Sequence, residues 1–445
     1  MAKLIISNQR TEEMVGDLQI LSPEYRTYVG NQAQRMAWCL QEGDVLVLPV
    51  MPDEHFIDYV IGSLRIAREE IDIIVPPSGK CGDGILSRDR LMDPQFVAQL
   101  QESVREHDVG EVLPFHFDST VVALSKILKL DGLTPGFAFL DQGGGRLLNS
   151  KATFRALAGG TGVPVPHGKV CSSQEEANEF LWEELLSRGY PAIVKRDFHV
   201  AGFGNEVVSP MPGVDPIGAL RTVVTADRNA LANYLAERWH WLTDLNRSPV
   251  VLERYFPDSL PLCAELHISD GGTELTGHGA MRMDPVLNGH VWPAPAAELP
   301  GFEVFLAVAR RMCEPIHAMG YRGVVSVDAI VTSDQGILVN EFNCRVSGST
   351  HAYSIGEHIV GGNFLAERVL VEQRRCTFPP SATMVKALTS SGLAYDHATR
   401  VGVLMTVEDN STSGEFGEYC IVAENAEHAE RLEAALAEVL ASIQK

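Results

Sequence analysis

The chain has 445 residues, 45% of them hydrophobic, so it can bury a large core and is expected to form more than one domain. Its net charge of −22 argues against a nucleic-acid partner, because nucleic-acid phosphates require basic surfaces. No apolar run in the sequence is long enough to cross a bilayer, and residues 1–7 are too short for a signal peptide, so we expect a cytoplasmic protein with no membrane partner.

Apolar strands alternate with helix-like segments in the first third of the chain, a pattern that is typical of a parallel sheet. The predicted strands cover residues 4–7, 44–50, 71–75 and 111–115. The region has no G-x-G-x-x-G fingerprint, so a dinucleotide site is not supported. Asn8, Gln9 and Arg10 follow the first strand, where open α/β sheets place ligands, but we favour a loop without function for them.

Two lysines are candidates for binding an anion. Ser150 is predicted to cap a helix that begins at Lys151 and ends at Gly159-Gly160. A lysine in the first turn opposes the helix dipole, which favours a role in anion binding over one in helix stability, although such a lysine taken alone is more often a solvated surface group. Lys195 ends a short apolar strand that begins at Tyr190.

A glycine-containing loop follows the second lysine. Gly202 and Gly204 would let backbone N–H groups approach a phosphate that Lys195 holds as a point charge. A lone Gly-x-Gly is weak evidence, so Lys195 is the stronger part of this prediction.

Two acids and one arginine lie on further predicted strands. Glu253 and Glu265 interrupt apolar stretches, and each could equally be an outward-facing strand residue. Arg282 lies on the next strand and is a candidate second clamp for an anion.

A predicted hairpin near residue 335 places two carboxylates opposite each other. The polar turn 333–336 ends in glycine, which aligns Asp328 with Glu341. Like charges across a strand pair repel unless a cation lies between them. Since residues two apart share a face, Glu341, Asn343 and Arg345 form a row whose oxygen donors suit Mg²⁺. The alternative is an ordinary surface hairpin in which Arg345 is a counter-ion.

The remaining sequence predicts a hydroxyl-rich turn and a tail. Residues 346–351 form a hydroxyl-rich turn that opens a helix, and helix N-termini favour anions. After a break at residues 376–381, two predicted strands at 401–407 and 418–423 precede a terminal amphipathic helix. We expect this tail to be a small α+β domain.

The order Asp, turn, Glu-x-Asn-x-Arg resembles the metal-binding end of the ATP-grasp superfamily of carboxylate-amine ligases. Over its whole length the chain resembles the peptide ligases of pheganomycin biosynthesis. The resemblance implies an α/β ATP-grasp fold with an α+β lid. It implies a Rossmann-like pre-ATP-grasp domain over 1–148, an ATP-grasp core over 149–376 with its lid at about 162–256 and its metal-binding half at 257–376, and a small C-terminal α+β domain over 377–445.

The resemblance also implies roles for the candidate residues. ATP would be bound by Lys151, Lys195, Gly202, Gly204, Glu253 and Glu265. Mg²⁺, with Mn²⁺ as an alternative, would be bound by Asp328, Glu341 and Asn343. Arg345 and Arg282 would be catalytic and neutralise the transferring phosphoryl group. Substrate would be bound by Ser347, Gly348, Ser349 and Thr350.

The implied activity is an ADP-forming peptide ligase that works through an acyl phosphate and serves antibiotic biosynthesis. It would join a nonproteinogenic guanidino amino acid to the N-terminal amine of a peptide. Three alternatives stay open: an amino-acid or dipeptide ligase of another pathway, a carboxylase-like member that uses bicarbonate, and an ATP-binding regulator without turnover. The sequence leaves the identity of the carboxylate, the length of the acceptor and a homodimeric state open.

Overall fold

The computed structural model describes residues 1–299, 301–409 and 416–443. Within these residues the strands form sheets of four, five and eight strands, which follow one another along the chain. None of the helices in this part of the chain combines the length and the hydrophobicity required to span a bilayer.

Four short strands form the first sheet: β1 (Lys3–Ile6), β2 (Val45–Val47), β3 (Asp72–Ile74) and β4 (Glu111–Pro114). All pairs are parallel and the order is β3-β2-β1-β4, which confirms the prediction from alternating strands and helices. Leu4 and Ile6 pack into one hydrophobic cluster and Ile5 into another, because both faces of the sheet are covered. The loop after β1 carries Arg10 beyond the carboxyl end of this strand.

Short helices surround this sheet. They are α1 (Glu12–Val15), α2 (Pro23–Gln32), α3 (Glu54–Leu64), α4 (Arg88–Leu91), α5 (Pro94–Glu106), α6 (Ser119–Ile127), α7 (Phe137–Asp141) and α8 (Gly144–Leu147), with 3₁₀ turns at Leu18–Ile20, Ala33–Cys39 and Arg68–Glu70. Aspartates cap three of the longer helices: the carboxylates of Asp53, Asp93 and Asp118 accept backbone N–H groups at the starts of α3, α5 and α6.

The helix α9 (Lys151–Thr161) leads into the second sheet. Its first turn is capped as predicted, since the Ser150 hydroxyl accepts the N–H of Thr153 at 3.1 Å. The predicted end at Gly159-Gly160 is wrong. The helix continues to Thr161, because the left-handed residue that closes it is Gly162, at φ +64°.

The second sheet has five strands in the order β5-β9-β6-β7-β8. They are β5 (Gly168–Cys171), β6 (Ala192–Arg196), β7 (Asn205–Ser209), β8 (Thr222–Val224) and β9 (Val250–Arg254). Helices α10 (Gln174–Phe180) and α11 (Arg228–Leu242) cover one face, with a π turn at Leu181–Leu185 and a 3₁₀ turn at Leu186–Arg188. Strand β6 is the strand predicted to end near Lys195.

The third sheet has eight antiparallel strands in the order β14-β13-β10-β11-β12-β15-β17-β16. Their bounds are β10 (Leu260–Ser269), β11 (Gly272–Asp284), β12 (Val286–Trp292), β13 (Gly323–Thr332), β14 (Gly336–Asn343), β15 (Val369–Cys376), β16 (Gly402–Val407) and β17 (Gly417–Ala423). The accompanying helices are α12 (Phe302–Ala318), α13 (Thr350–Ile355), α14 (Phe364–Glu367), α15 (Ser381–Ser390) and α16 (Ala426–Ile443), with a 3₁₀ turn at Pro295–Glu298 and a π turn at Gly356–Val360.

The tail is joined to the rest of the molecule in two ways. Its strands β16 and β17 extend the third sheet through β15. It also contacts the first region: Arg35 pairs with Glu418 in a buried two-bond ion pair, and the indole N–H of Trp38 donates to the carbonyl of Thr406 at 3.0 Å. The two strands and the helix predicted in the tail are present, but one sheet runs across the predicted boundary at residue 376.

Candidate functional site

The predicted carboxylate pair lies on the hairpin of β13 and β14, at the wall of a pocket. Asp328 pairs with Glu341 in the strand register, as the turn at 333–336 predicted. Burial, and then the charge of Glu341, raise the pKa of Asp328 to about 7. Such a raised pKa means that the two carboxylates resist being charged together without a cation.

The side chains around this pair carry oxygen atoms of the kind that Mg²⁺ prefers, and Asn343 directs its amide oxygen to Arg345 and its nitrogen to Asp328. The carboxamide N–H of Asn343 lies 3.3 Å from one oxygen of Asp328, and the hydroxyl of Ser326 donates to the other at 3.0 Å. No group of three or more His, Cys, Asp or Glu side chains that could hold a metal ion occurs in the part of the chain described. Two carboxylates and an amide would fill only part of an octahedral shell, and Mg²⁺ usually completes its shell with water and substrate phosphates.

Both predicted lysines reach the pocket region from buried positions. The ammonium of Lys195 lies 2.6 Å from Glu253 and donates to the carbonyl of Asn340 at 3.2 Å. The ammonium of Lys151 lies 3.1 Å from Glu341 and donates to the carbonyl of His199 at 2.9 Å. The ammonium of Lys151 therefore lies beside the carboxylate pair, and the ammonium of Lys195 lies beside Glu253 and the backbone of β14.

Several cations lie near His199, which precedes the glycines of the loop after β6. The pKa of His199 is lowered to about 3, first by burial and then by the charges of Arg196, Arg10 and Lys151. Its ring is therefore neutral beside these three cations.

The glycine loop between β6 and β7 reaches the pocket at one of its two predicted residues. Gly202 lines the pocket at φ +83°. Gly204 is not part of the pocket wall, and a Cβ there would lie 2.3 Å from the Cβ of His199, so its missing side chain allows loop packing. Asn205 lines the pocket and its amide donates to the carbonyl of Gly218 at 2.9 Å.

The two acids predicted near the nucleotide have different surroundings. Glu253 lines the pocket, but its oxygens are engaged by Lys195 and by Arg155, at 2.5 Å. Glu265 is buried behind the pocket wall and accepts hydroxyl hydrogen bonds from Ser347 at 2.8 Å and Thr350 at 3.0 Å. The structure thus brings Glu265 to the hydroxyl-rich turn and not to the pocket surface predicted for the nucleotide.

Some residues of the hydroxyl-rich turn face the pocket. Ser347, Gly348 and Ser349 line it, whereas Thr350 starts α13 and donates to Glu265. Burial raises the pKa of Glu265 to about 7, while the hydroxyl hydrogen bonds oppose this rise. The buried acid therefore holds the turn in shape.

The two predicted catalytic arginines are separated. Arg345 lines the pocket; its guanidinium donates to the side-chain oxygen of Asn343 at 2.7 Å, and its Nε is buried without a hydrogen-bond partner in the described structure. The structure does not bring Arg282 to the pocket. Its guanidinium forms a two-bond ion pair with Glu433 at 2.6 and 2.9 Å, because side chains alternate along β11 and its neighbours Met281 and Met283 are the ones that line the pocket.

Sequence reasoning missed a buried polar cluster at the same end. Arg374 donates to the carbonyl of Gly348 at 2.7 Å and pairs with Glu372 at 2.8 Å. Glu372 also contacts His290 at 2.8 Å, and burial is the main cause that lowers the pKa of this histidine to about 4. The only sequence signal was an Arg-Arg pair on a strand, which does not show which side chain turns inward.

The pocket as a whole encloses about 200 Å³, and three kinds of side chain line it. Apolar side chains that suit a flat ring are Ile193, Tyr255, Phe256, Met281, Met283 and Leu287. Lys195, Gly202 and the carboxylate pair also line the pocket, and the arginine end is where Arg374 contacts the serine turn at Gly348. Such a lining suits a nucleotide together with a second ligand.

Comparisons with known proteins identify two matching domain families and two related ligases. Residues 33–130 match the family described as the pre ATP-grasp domain, and residues 383–436 match the family described as the PGM1 C-terminal domain. An L-propargylglycine--L-glutamate ligase of Streptantibioticus cattleyicolor is 27% identical over 375 residues, which cover 76% of this chain and 72% of that protein. A butirosin acyl-carrier protein--L-glutamate ligase of Niallia circulans is 24% identical over 364 residues, 80% of this chain and 74% of that protein.

Solved structures resemble the whole chain. An N5-carboxyaminoimidazole ribonucleotide synthetase in complex with ADP has a TM-score of 0.55 at 16% identity, with 100% of this chain and 96% of that chain covered. A biotin carboxylase of Campylobacter jejuni in complex with an ATP analogue has a TM-score of 0.56 at 12% identity, with 98% and 91% covered. The chain therefore has the ATP-grasp fold preceded by a pre-ATP-grasp domain, which confirms the predicted α/β fold class.

Proposed function

We propose that this ATP-grasp enzyme is a carboxylate-amine ligase, which uses ATP to join an amino-acid carboxylate to an amine and releases ADP and phosphate. The observation that carries the proposal is one pocket that contains a buried lysine, two opposed carboxylates and an arginine beside a serine turn. The named ligases among its relatives support the same reaction class.

ATP would lie along the pocket with its base between the apolar walls. Lys195 and Lys151 would hold the phosphates, and the backbone of Gly202 would approach them closely. Asp328, Glu341 and Asn343 would hold Mg²⁺, or Mn²⁺, which when bound neutralises phosphate charge and orients the γ-phosphoryl group. Both lysines now contact acids, so nucleotide phosphates would replace or share those contacts.

The substrate carboxylate would be positioned for attack by the arginine end of the pocket. An oxygen of that carboxylate forms a bond to the γ-phosphorus while the bond to ADP breaks, which gives an acyl phosphate. Arg345 would stabilise negative charge on the transferring group from its place beside Asn343. Positioning and electrostatics provide most of the rate enhancement in phosphoryl transfer, and no protein nucleophile is required.

The second step would form the amide. The amine, after losing a proton, attacks the acyl carbon, the C–N bond forms, and inorganic phosphate leaves. The serine turn Ser347–Ser349, held from behind by Glu265, would border the acyl group. Exclusion of water by the lid would protect the acyl phosphate from hydrolysis.

For the substrate pair we propose an amino acid as the acid, and an amino acid or a peptide N-terminus as the amine. Both named relatives carry L-glutamate in their names. A guanidino amino acid joined to a peptide is the pair that the resemblance to pheganomycin peptide ligases implies. Carboxylates free to pair with a guanidino group are not found at the arginine end of the described pocket, which favours an anionic substrate.

The test is release of ADP and phosphate from Mg-ATP with a panel of amino acids that includes glutamate, neutral amino acids and guanidino amino acids. Each acid is supplied with and without amino-acid amides and short peptides, and products are weighed by mass spectrometry. Release that needs both partners, with a product equal to their summed mass less water, is the expected result. Tight ATP binding with no release under any pairing would contradict the ligase proposal and favour an ATP-binding regulator.

A further inference from the structure

Arg10 is a buried cation for which the described protein provides no counter-charge. It lies in the loop after β1, is 4% exposed, and lines the same pocket as Arg345. No carboxylate of the described residues forms an ion pair with it. Since a buried charge without a partner is costly, its position is best explained by an anionic ligand.

The guanidinium of Arg10 is held in a fixed orientation. Its Nε donates to the hydroxyl of Tyr25 at 3.0 Å, and its Nη1 donates to the carbonyl of Gln9 at 2.7 Å. The second terminal nitrogen, Nη2, has no hydrogen-bond partner among the described residues. Tyr25 in turn packs edge-on against Phe203 of the glycine loop, with ring centroids 5.3 Å apart.

The five arginines that line the pocket differ in whether they are free to bind an anionic ligand. Three of the five already have carboxylate partners: Arg35 with Glu418, Arg254 with Asp334 and Arg374 with Glu372. Arg10 and Arg345 are the two in the described pocket without one. Arg10 and Arg345 line the same pocket and lie near enough for their charges to repel each other.

Two unpaired cations at one end of a pocket suit a ligand with two negative groups. In the proposed reaction Arg345 serves the transferring phosphoryl group, so a second anion is needed for Arg10. A guanidinium with a free terminal N–H edge binds a carboxylate through charge-assisted hydrogen bonds.

We propose that Arg10 binds a second carboxylate of the acid substrate, so that the enzyme activates one carboxylate of a dicarboxylic amino acid while Arg10 holds the other. The inference rests on the proposed ligase function and deepens it by naming the substrate class. Tyr25 is a positioning residue for Arg10, and its contact with Phe203 places the diacid site against the loop that covers the phosphates.

The test is equilibrium binding, which does not depend on turnover. Calorimetry measures L-aspartate and L-glutamate, each beside its side-chain amide and its α-amide, on the full chain with Mg²⁺ and a non-hydrolysable ATP analogue. We expect one diacid to bind roughly 10- to 100-fold more tightly than the monoamide that lacks the carboxylate held by Arg10, the range of a charge-assisted hydrogen bond. Arg10→Gln should abolish this preference and leave binding of that monoamide nearly unchanged, and Tyr25→Phe should reduce the preference by a smaller factor.

Arg88→Gln is the matched control, since Arg88 is an exposed arginine of the same region that does not line the pocket. It should keep the full preference. Thermal unfolding of each variant separates loss of binding from loss of folding; if Arg10→Gln unfolds, Tyr25→Phe provides the same comparison of diacid with amide.

The inference is overturned if wild-type protein binds each diacid no better than either of its monoamides, or if Arg10→Gln weakens a diacid and both of its monoamides equally. It is also overturned if the variant weakens only an acceptor amino acid relative to its α-amide, because the carboxylate would then belong to the amine substrate. Diacid preference without ADP release would sustain the inference and contradict the ligase proposal. ADP release with monocarboxylic acids alone would support the ligase proposal and contradict this inference.

Discussion

Glu341 is the single residue on which the proposed metal site depends most. It faces Asp328 across the hairpin and lies 3.1 Å from the ammonium of Lys151, so the proposed metal and the proposed phosphate-binding lysine would meet there. We predict that Glu341→Gln lowers kcat/KM by roughly 100- to 1000-fold, the scale of losing one group that stabilises transition-state charge. Steady-state ADP release measures this loss.

Glutamine has the same volume as glutamate, so the fold should be kept, and an unchanged unfolding transition would show it. Glu430→Gln, the same substitution at an exposed position of α16, should leave activity at the wild-type level. Near-normal turnover of Glu341→Gln would rule out the hairpin as the metal site.

Glu265 provides a prediction about pH. Burial raises its pKa from 4.5 to about 7, so between these values the folded protein holds a proton that the unfolded chain has released. The stability from this proton is present below about pH 4.5 and is lost as the pH rises toward 7. Relative to Glu265→Gln, wild-type protein should therefore lose at most roughly 3 kcal/mol of unfolding free energy across this range.

Urea unfolding at a series of pH values between 4.5 and 7.5 would measure the difference for both proteins. The comparison cancels the titration of the other carboxylates, which both chains share. Parallel profiles for the two proteins would show that Glu265 is ionised throughout and that the three hydroxyls suffice to hold its charge.

Single residues of the site differ in how far sequence could identify them. Asp328, Glu341 and Lys195 interrupt or end apolar runs, and a charge in such a run is visible without a structure. Arg10 follows a strand in the same way, but the sequence favoured a loop without function, because no local pattern reveals which arginines lack an acid. The roles of all these residues stay predictions.

At the scale of elements, the glycine loop between β6 and β7 restricts which substitutions the predicted lid can tolerate. A Cβ on Gly202 would lie 2.9 Å from the backbone oxygen of Gly218, and its φ of +83° is one that side chains rarely adopt. We predict that Gly202→Ala raises the dissociation constant of ATP roughly tenfold, since a left-handed backbone costs a non-glycine residue about 1–2 kcal/mol.

Titration of a fluorescent ATP analogue would measure the affinity of this variant. Gly62→Ala is its control, because Gly62 lies in α3 with no atom within 4 Å of the added carbon. That change should leave ATP affinity unaltered and stabilise the helix slightly. Equal ATP affinity in wild type and Gly202→Ala would mean that the loop does not contact the phosphates.

The hairpin of β13 and β14 shows what sequence can and cannot supply about an element. Its turn residues and two apolar runs sufficed to predict that Asp328 lies across from Glu341. Directly after this pair the register shifts, so that Ala329 faces Val339 and Asn340 is the extra residue of a bulge. The Asn340 carbonyl there accepts the ammonium of Lys195 from another sheet, and such a contact has no local signal.

At the scale of the whole molecule, the ion pair of Arg35 and Glu418 joins the first and last regions of the chain beside the pocket. Both side chains are buried and joined by two hydrogen bonds. We predict that Glu418→Gln lowers the free energy of unfolding by roughly 3 kcal/mol or more, because it leaves a buried guanidinium without its counter-charge. The urea midpoint at an unchanged slope measures this loss.

Glu427→Gln offers a matched control in the same tail. Glu427 pairs with Arg431 one turn along α16, but both side chains are largely exposed, so solvent screens the pair. Its removal should leave the urea midpoint unchanged within error. An equally small effect for Glu418→Gln would show that the tail is attached by its sheet strands alone.

The contacts of Arg35 and Trp38 also fix an order of events during synthesis. Their partners Glu418 and Thr406 lie 383 and 368 positions further along the chain. At usual translation rates, Glu418 is synthesised roughly 20 to 80 seconds after Arg35. Throughout that time the guanidinium of Arg35 and the indole N–H of Trp38 lack the partners that the finished protein gives them, so the first region reaches its final contacts only after the tail is made.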